Sequence, residues 1–109
     1  MAIKVNGKDM KDAVIKTDQY EMRILELTPD RMRVSLTDTY GEAFNFLPRS
    51  VSMVYPDKTV TARDDGTTSV RPKQTVEVTI QFRERLRLEA FEPFDFRYAG
   101  KKLATISVE

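Results

Sequence analysis

Alternation is the feature that most constrains this chain. Val76, Val78, Ile80 and Phe82 hold one parity, while Glu77, Thr79 and Gln81 hold the other. Successive side chains point to opposite sides only in an extended backbone, so the run predicts a strand with one buried and one wet face. The same period returns in Tyr20, Met22 and Ile24 against Glu21 and Arg23. It returns again in Met32, Val34 and Leu36 against Arg31, Arg33, Ser35 and Thr37. Between these two runs, Thr28-Pro29-Asp30-Arg31 is turn chemistry, with proline presetting φ and Asp behind it. A long hairpin is expected. Leu25 and Leu27 shift the apolar phase by one residue, which predicts a bulge or bend in its first strand.

The rest of the chain is cut at similar intervals. Asn6-Gly7 lies between Ile3/Val5 and Met10 and predicts a short hairpin, because both turn residues of the tightest hairpin loop take positive φ. A short helix over Asp9–Ile15 competes for part of that segment, with Met10, Ala13 and Val14 at helical spacing. Further strands are expected at Ala43–Leu47, at Val51–Tyr55 and, as a pairing neighbour, at Thr59–Arg63. Asp64-Asp65-Gly66-Thr67-Thr68 reads as a loop. Leu86 and Leu88 continue the pattern after an Arg-rich stretch. Phe94, Phe96 and Tyr98 then lead through Ala99-Gly100-Lys101 into Leu103–Val108. Seven to nine short antiparallel strands in a single domain spanning 1–109 suit a β-sandwich or a small barrel. Composition agrees, since Val, Ile and Thr supply 26 of 109 residues against seven each of Ala and Leu.

Composition also removes function classes. With no His and no Cys, thiol nucleophiles, imidazole bases, Ser-His-Asp triads and iron–sulfur ligation are excluded. Eighteen Lys+Arg against seventeen Asp+Glu leave a net charge of +1, which weakens any case for a nucleic-acid partner. The four glycines stand singly, so there is no Gly-rich phosphate loop. No stretch nears the ~18 apolar residues of a membrane-spanning helix. An enzyme is not expected, nor is a cofactor or a bound metal.

The long hairpin, the segment Pro72-Lys73-Gln74-Thr75-Val76 running on to Ile80-Gln81-Phe82, and the closing Phe94–Tyr98, Gly100, Leu103–Val108 together carry a resemblance. They resemble the immunoglobulin-like domains of small secreted or lipid-anchored bacterial envelope proteins. Where that group usually has glycine after the proline, this chain has Lys73. The resemblance implies an immunoglobulin-like β-sandwich and a non-catalytic adhesion, assembly or ligand-binding role outside the cytoplasm. It implies that compartment if an export signal has been removed; otherwise the chain reads as cytoplasmic.

Several clusters invite a functional reading. Arg83, Arg85 and Arg87 fall at period 2, and an extended stretch would project three guanidinium forks from one face toward a carboxylate or phosphate. Arg31 and Arg33 repeat the feature on a smaller scale. The economical alternative is a solvated face whose cations pair with Glu84, Glu89 and Glu92, or charges that protect an edge strand. Asp64–Thr68 concentrates oxygen ligands but lacks the spacing of a calcium loop. Tyr40, Phe44 and Phe46 beside Arg31 and Arg33 could stack bases, or could simply form a core face. Glu26, Asp30, Asp38 and Glu42 supply carboxylates without a spacing that defines a cleft. Phe91-Glu92-Pro93-Phe94-Asp95-Phe96 is either a partner-binding patch or the buried floor of the fold.

Three functional expectations follow. The first is an envelope or secreted binding module that holds a protein partner through sheet edges, loops or the Arg face. The second is a small cytoplasmic β-barrel for nucleic acid or another anionic ligand. The third is a structural subunit of a phage or secretion assembly.

Overall fold

A computed structural model describes residues 2–90 and 92–109. Strands fall at β1 (Ile3–Val5), β2 (Lys8–Asp9), β3 (Ile15–Lys16), β4 (Tyr20–Leu27), β5 (Arg31–Asp38) and β6 (Phe44–Phe46). They continue at β7 (Val51–Val54), β8 (Thr59–Thr61), β9 (Thr68–Val70), β10 (Thr75–Gln81), β11 (Phe94–Tyr98) and β12 (Lys101–Val108). All pair antiparallel, in the orders β2-β1-β12-β11-β7-β8, β10-β5-β4-β3 and β6-β9. The chain is therefore all-β, as expected. Among the described residues there are twelve strands rather than seven to nine, because pieces of two or three residues pair where alternation is too short to read. One is Thr68–Val70, which follows the acidic loop; another is Ile15–Lys16. Among the described residues no helix is long and apolar enough to cross a membrane.

The long hairpin forms as its alternation predicts. Thr28 closes the turn: its hydroxyl accepts the N–H groups of Asp30 and Arg31, and its own N–H donates to the Arg31 carbonyl. The register of β4 on β5 slips between Ile24 and Glu26. That bulge leaves Leu25 40% exposed and returns Leu27 to the buried side. At the N-terminus Asn6 and Gly7 take φ of 51° and 84°, the conformation a two-residue hairpin requires. The competing helix shrinks to a single 3-10 turn, Met10–Asp12, because Ile15 pairs with Met22 instead.

Val78, Ile80 and Phe82 are buried, while Val76 is half-buried where β10 begins. They pack with Met22, Met32, Val34 and Leu36 from one large sheet, and with Met53, Phe94, Phe96 and Ile106 from the other, in a single apolar cluster. Each such side chain contributes roughly 1.5–3 kcal/mol by leaving water. The aromatic run that leads into β11 is thus a buried floor at Phe94 and Phe96; Phe91 lies outside the described residues. Three ring pairs tie elements together: Tyr20 with Phe44 (5.3 Å), Phe46 with Tyr98 (4.6 Å) and Tyr55 with Phe94 (4.7 Å).

At one side the two large sheets are stitched together. Ala62 bridges Phe82, the Arg63 N–H donates to the Gln81 carbonyl, and the Arg83 N–H donates to the Thr61 carbonyl. The remaining edges, β2–β1 of one sheet and β3 of the other, lie on the opposite side, where the chain crosses through Met10–Asp12.

Candidate functional site

The Arg-rich stretch does not form the expected extended face. β10 ends at Gln81, and residues 83–87 run as irregular chain. The reason is the stitch: Phe82 is held by Ala62, and the chain then turns so that the Leu86 N–H reaches the Pro29 carbonyl at 2.8 Å. Leu86 and Leu88 are both buried, which satisfies their apolar character without a strand.

The three guanidinium groups consequently go to three places. Arg83 donates through Nε to the Ala62 carbonyl at 3.3 Å. Arg85 reaches Asp30 at 2.9 Å, on the turn between β4 and β5. Arg87 grips Asp57 with both terminal nitrogens, meets Glu92 at 3.2 Å and lies 4.5 Å over the Tyr55 ring. Its backbone N–H donates to the Tyr55 hydroxyl at 3.0 Å. Among the described residues, Arg87 Nε is the buried side-chain atom left without a hydrogen-bond partner. The hydrogen bond from Arg87 holds the Asp57 carboxyl below its ordinary range, and the same bond raises the guanidinium. Burial raises the Tyr55 phenol, partly opposed by the hydrogen bond from Arg87.

The smaller Arg pair is equally occupied. Arg31 meets Glu26 at 3.2 Å, and Arg33 meets Glu77 at 2.6 Å across β5 and β10. Of the five candidates, Arg31 and Arg33 share the outer face of β5 beside Glu26, and Arg85 reaches the turn next to Arg31 at Asp30; Arg83 and Arg87 go elsewhere. The cations do pair with carboxylates, but mostly with partners distant in sequence rather than the adjacent Glu84 and Glu89.

The other clusters separate too. Tyr40 is 60% exposed, Phe44 stacks on Tyr20 and Phe46 is fully buried, so no row of rings faces solvent. Asp64 pairs with Arg49 at 3.5 Å. Among the described residues no three carboxylates converge as a metal site would require. Asp38 is a structural group: it is 2% exposed and accepts N–H donors from Tyr40, Gly41 and Lys73. Lys73 stands at φ 60°, a left-handed conformation suited to glycine.

No family model, curated protein or solved structure matches this chain.

Sequence reasoning missed the open side of the molecule. β12 spans eight residues, but β1 covers only Ile106–Val108, with Asn6 reaching Thr105. Among the described residues, Lys101–Ala104 therefore has no strand on that flank. Beside it lies a groove of about 390 Å³, walled by Tyr98, Ala99, Lys101 and Leu103 from one sheet and by Thr17, Asp18, Gln19 and Tyr20 from the other. A second groove of about 380 Å³ follows between the β1 turn, at Asn6 and Lys8, and the approach to β3, at Asp12 and Lys16. Tyr20, only 5% exposed, lines the first groove. Burial, and secondarily Tyr98, push its phenol up to about 12. The alternating pattern places Tyr20 inward but carries no signal for a groove, which depends on where a partner strand stops.

Proposed function

We propose that the chain is a non-catalytic, immunoglobulin-like binding or assembly module of a bacterial envelope or secreted protein, and that it holds a protein partner through a sheet edge. The sandwich reading is supported by the pairing β4-β5-β10 in one sheet and β12-β11-β7 in the other. These six strands, in chain order, match the A-B-E and G-F-C groupings of immunoglobulin-type domains. The observation that carries the functional reading is the contrast between occupied cations and an unoccupied edge. All five Arg candidates are already bound within the protein, whereas β12, paired with β11 on one side, is left uncovered on its other flank at Lys101–Ala104 among the described residues. An unpaired strand flank offers backbone donors and acceptors to an extended partner.

The test is capture of partners from the source cell by the intact protein at low and high salt. A protein partner retained at high salt supports the module. Recovery of nucleic acid or acidic proteins alone, lost as salt rises, would overturn it in favour of an anion binder.

A further inference from the structure

We infer that residues 83–88 form a charge-latched strap, which opens locally while both large sheets stay folded once its ion pairs are screened or removed. The strap lies apart from the open flank of β12 and is a conformational device of the fold itself.

Its backbone is thinly held. The Arg83 N–H bonds the Thr61 carbonyl, and from there the chain leaves both sheets until the 3-10 turn at Leu88–Ala90. Among the described residues, the bond from the Leu86 N–H to the Pro29 carbonyl is the only other one that ties the strap's backbone to the backbone of the rest of the chain. β5, by contrast, is paired along both flanks, with β4 and with β10. A segment with so few ladder bonds opens at a lower free energy than a strand at the centre of a sheet.

Charge supplies what the ladder does not. Four of the eight ion pairs among the described residues engage this short stretch: Glu84 with Lys58 at 3.3 Å, Arg85 with Asp30 at 2.9 Å, Arg87 with Asp57, and Arg87 with Glu92 at 3.2 Å. They fasten the strap to the turn between β4 and β5, to the turn between β7 and β8, and to the approach to β11. Every side chain in these four pairs is at least 32% exposed, so dissolved ions reach all of them.

Beneath the latch, the terms oppose each other. Leu86 and Leu88, 2% and 1% exposed, seat the strap on the core. Against them stands the buried Arg87 Nε, which has no hydrogen-bond partner and gains one from water only when the strap lifts. The Arg87 guanidinium also lies over the Tyr55 ring, and its N–H holds the Tyr55 hydroxyl. Lifting the strap therefore uncovers Tyr55 at the rim of a groove of about 310 Å³ that Val54, Pro56 and Phe94 also line.

The experiment is residue-resolved amide hydrogen exchange on the intact protein at neutral pH. Raising NaCl from about 0.01 M to about 1 M shortens the screening length from about 30 Å to about 3 Å. The expected result is a fall of about fivefold or more in the protection of the Leu86 and Arg87 amides, the combined effect of several exposed pairs. Protection along β5 should stay constant. Asp57→Asn, which removes the two-pronged contact with Arg87, should lower strap protection about threefold already at low salt and leave β5 unchanged. Asp64→Asn, whose pair with Arg49 lies off the strap, should match the parent. Strap amides that exchange only together with β5 would overturn the inference, because the segment would then open only by global unfolding. Protection indifferent to both salt and Asp57→Asn would also overturn it, leaving the two leucines as the whole fastening. So would strap amides that are unprotected at low salt, since no latch would then be closed.

Discussion

Asp38→Ala should be the most damaging single change outside the apolar core. The carboxylate is almost fully buried at the end of β5 and accepts three backbone N–H groups: Tyr40 at 3.2 Å, Gly41 at 3.1 Å and Lys73 at 2.9 Å. It thereby joins the turn after β5 to the turn that launches β10, two segments 35 residues apart. Alanine strands all three donors. Each costs roughly 1–3 kcal/mol if it stays dry. The three residues themselves are exposed, so water replaces part of the loss and the low end applies, giving about 3 kcal/mol in total. For a domain of this size that corresponds to a fall of about 12–20 °C in Tm. Asparagine keeps one acceptor oxygen and should lose about half as much. Lys73 adds a coupled test. The Asp38 bond helps hold it at φ 60°, a conformation costly for a side chain with a Cβ. Lys73→Gly should therefore recover up to about 1 kcal/mol in the Asp38→Ala background. Urea unfolding followed by far-UV circular dichroism at neutral pH measures all four proteins. A loss below about 1 kcal/mol for Asp38→Ala, or an Asn variant as unstable as the Ala variant, would refute the three-bond account.

Val78→Asp should abolish the cooperative melt, because Val78 is 5% exposed opposite the fully buried Val34 and sits in the apolar cluster, so the carboxylate would be buried among apolar side chains; a parent-like melt would show that the residue faces outward. Arg85→Ser should leave Tm within about 2 °C, since its pair with Asp30 is solvent-exposed. Arg87→Ser should lower Tm more, through loss of the Asp57 clamp and the Tyr55 stack. Because the folded state holds the Asp57 carboxyl below its ordinary 3.8, that contribution is present above pH 4 and lost as pH falls through the depressed value. The gap between Arg87→Ser and the parent should thus narrow in acid, and an unchanged gap would assign it to the stack alone. Tyr20 behaves in the opposite sense: the unfolded chain ionises near pH 10 and the folded chain near about 12, so stability declines across that interval. Tyr20→Phe should escape roughly 1–2 kcal/mol of that decline, allowing for partial solvation of the hydroxyl; parallel alkaline curves would refute the raised phenol.

What was legible in the sequence and what was not divide along a physical line. Parity of apolar residues records which face of a strand is dry, so Met22/Ile24, Met32/Val34/Leu36 and Val78/Ile80/Phe82 could be placed before any pairing was known. The phase slip at Leu25 was legible for the same reason, because burial of Leu27 requires an extra residue in the ladder. Arg83, Arg85 and Arg87 also fall at period 2, but a guanidinium is wet in a loop as readily as on a strand. Only Leu86 and Leu88 bore on backbone geometry there, and two buried leucines are satisfied equally by a turn. The same residue type that suggested a site was therefore uninformative about its shape.

The open seam shows how a local signal acquires a distant meaning. Asn6-Gly7 announces a tight turn, and that turn ends β1 after three residues. Its consequence appears 99 residues away, where the Asn6 side-chain oxygen accepts the Thr105 N–H and, among the described residues, no further strand covers that flank of β12. Had β1 continued, its backbone would have filled the flank beside Lys101 and closed the groove above Tyr20. A turn residue, a strand length and an uncovered ladder are thus one feature seen at three scales. The first is written in two adjacent letters. The last exists only once the two ends of the chain have met.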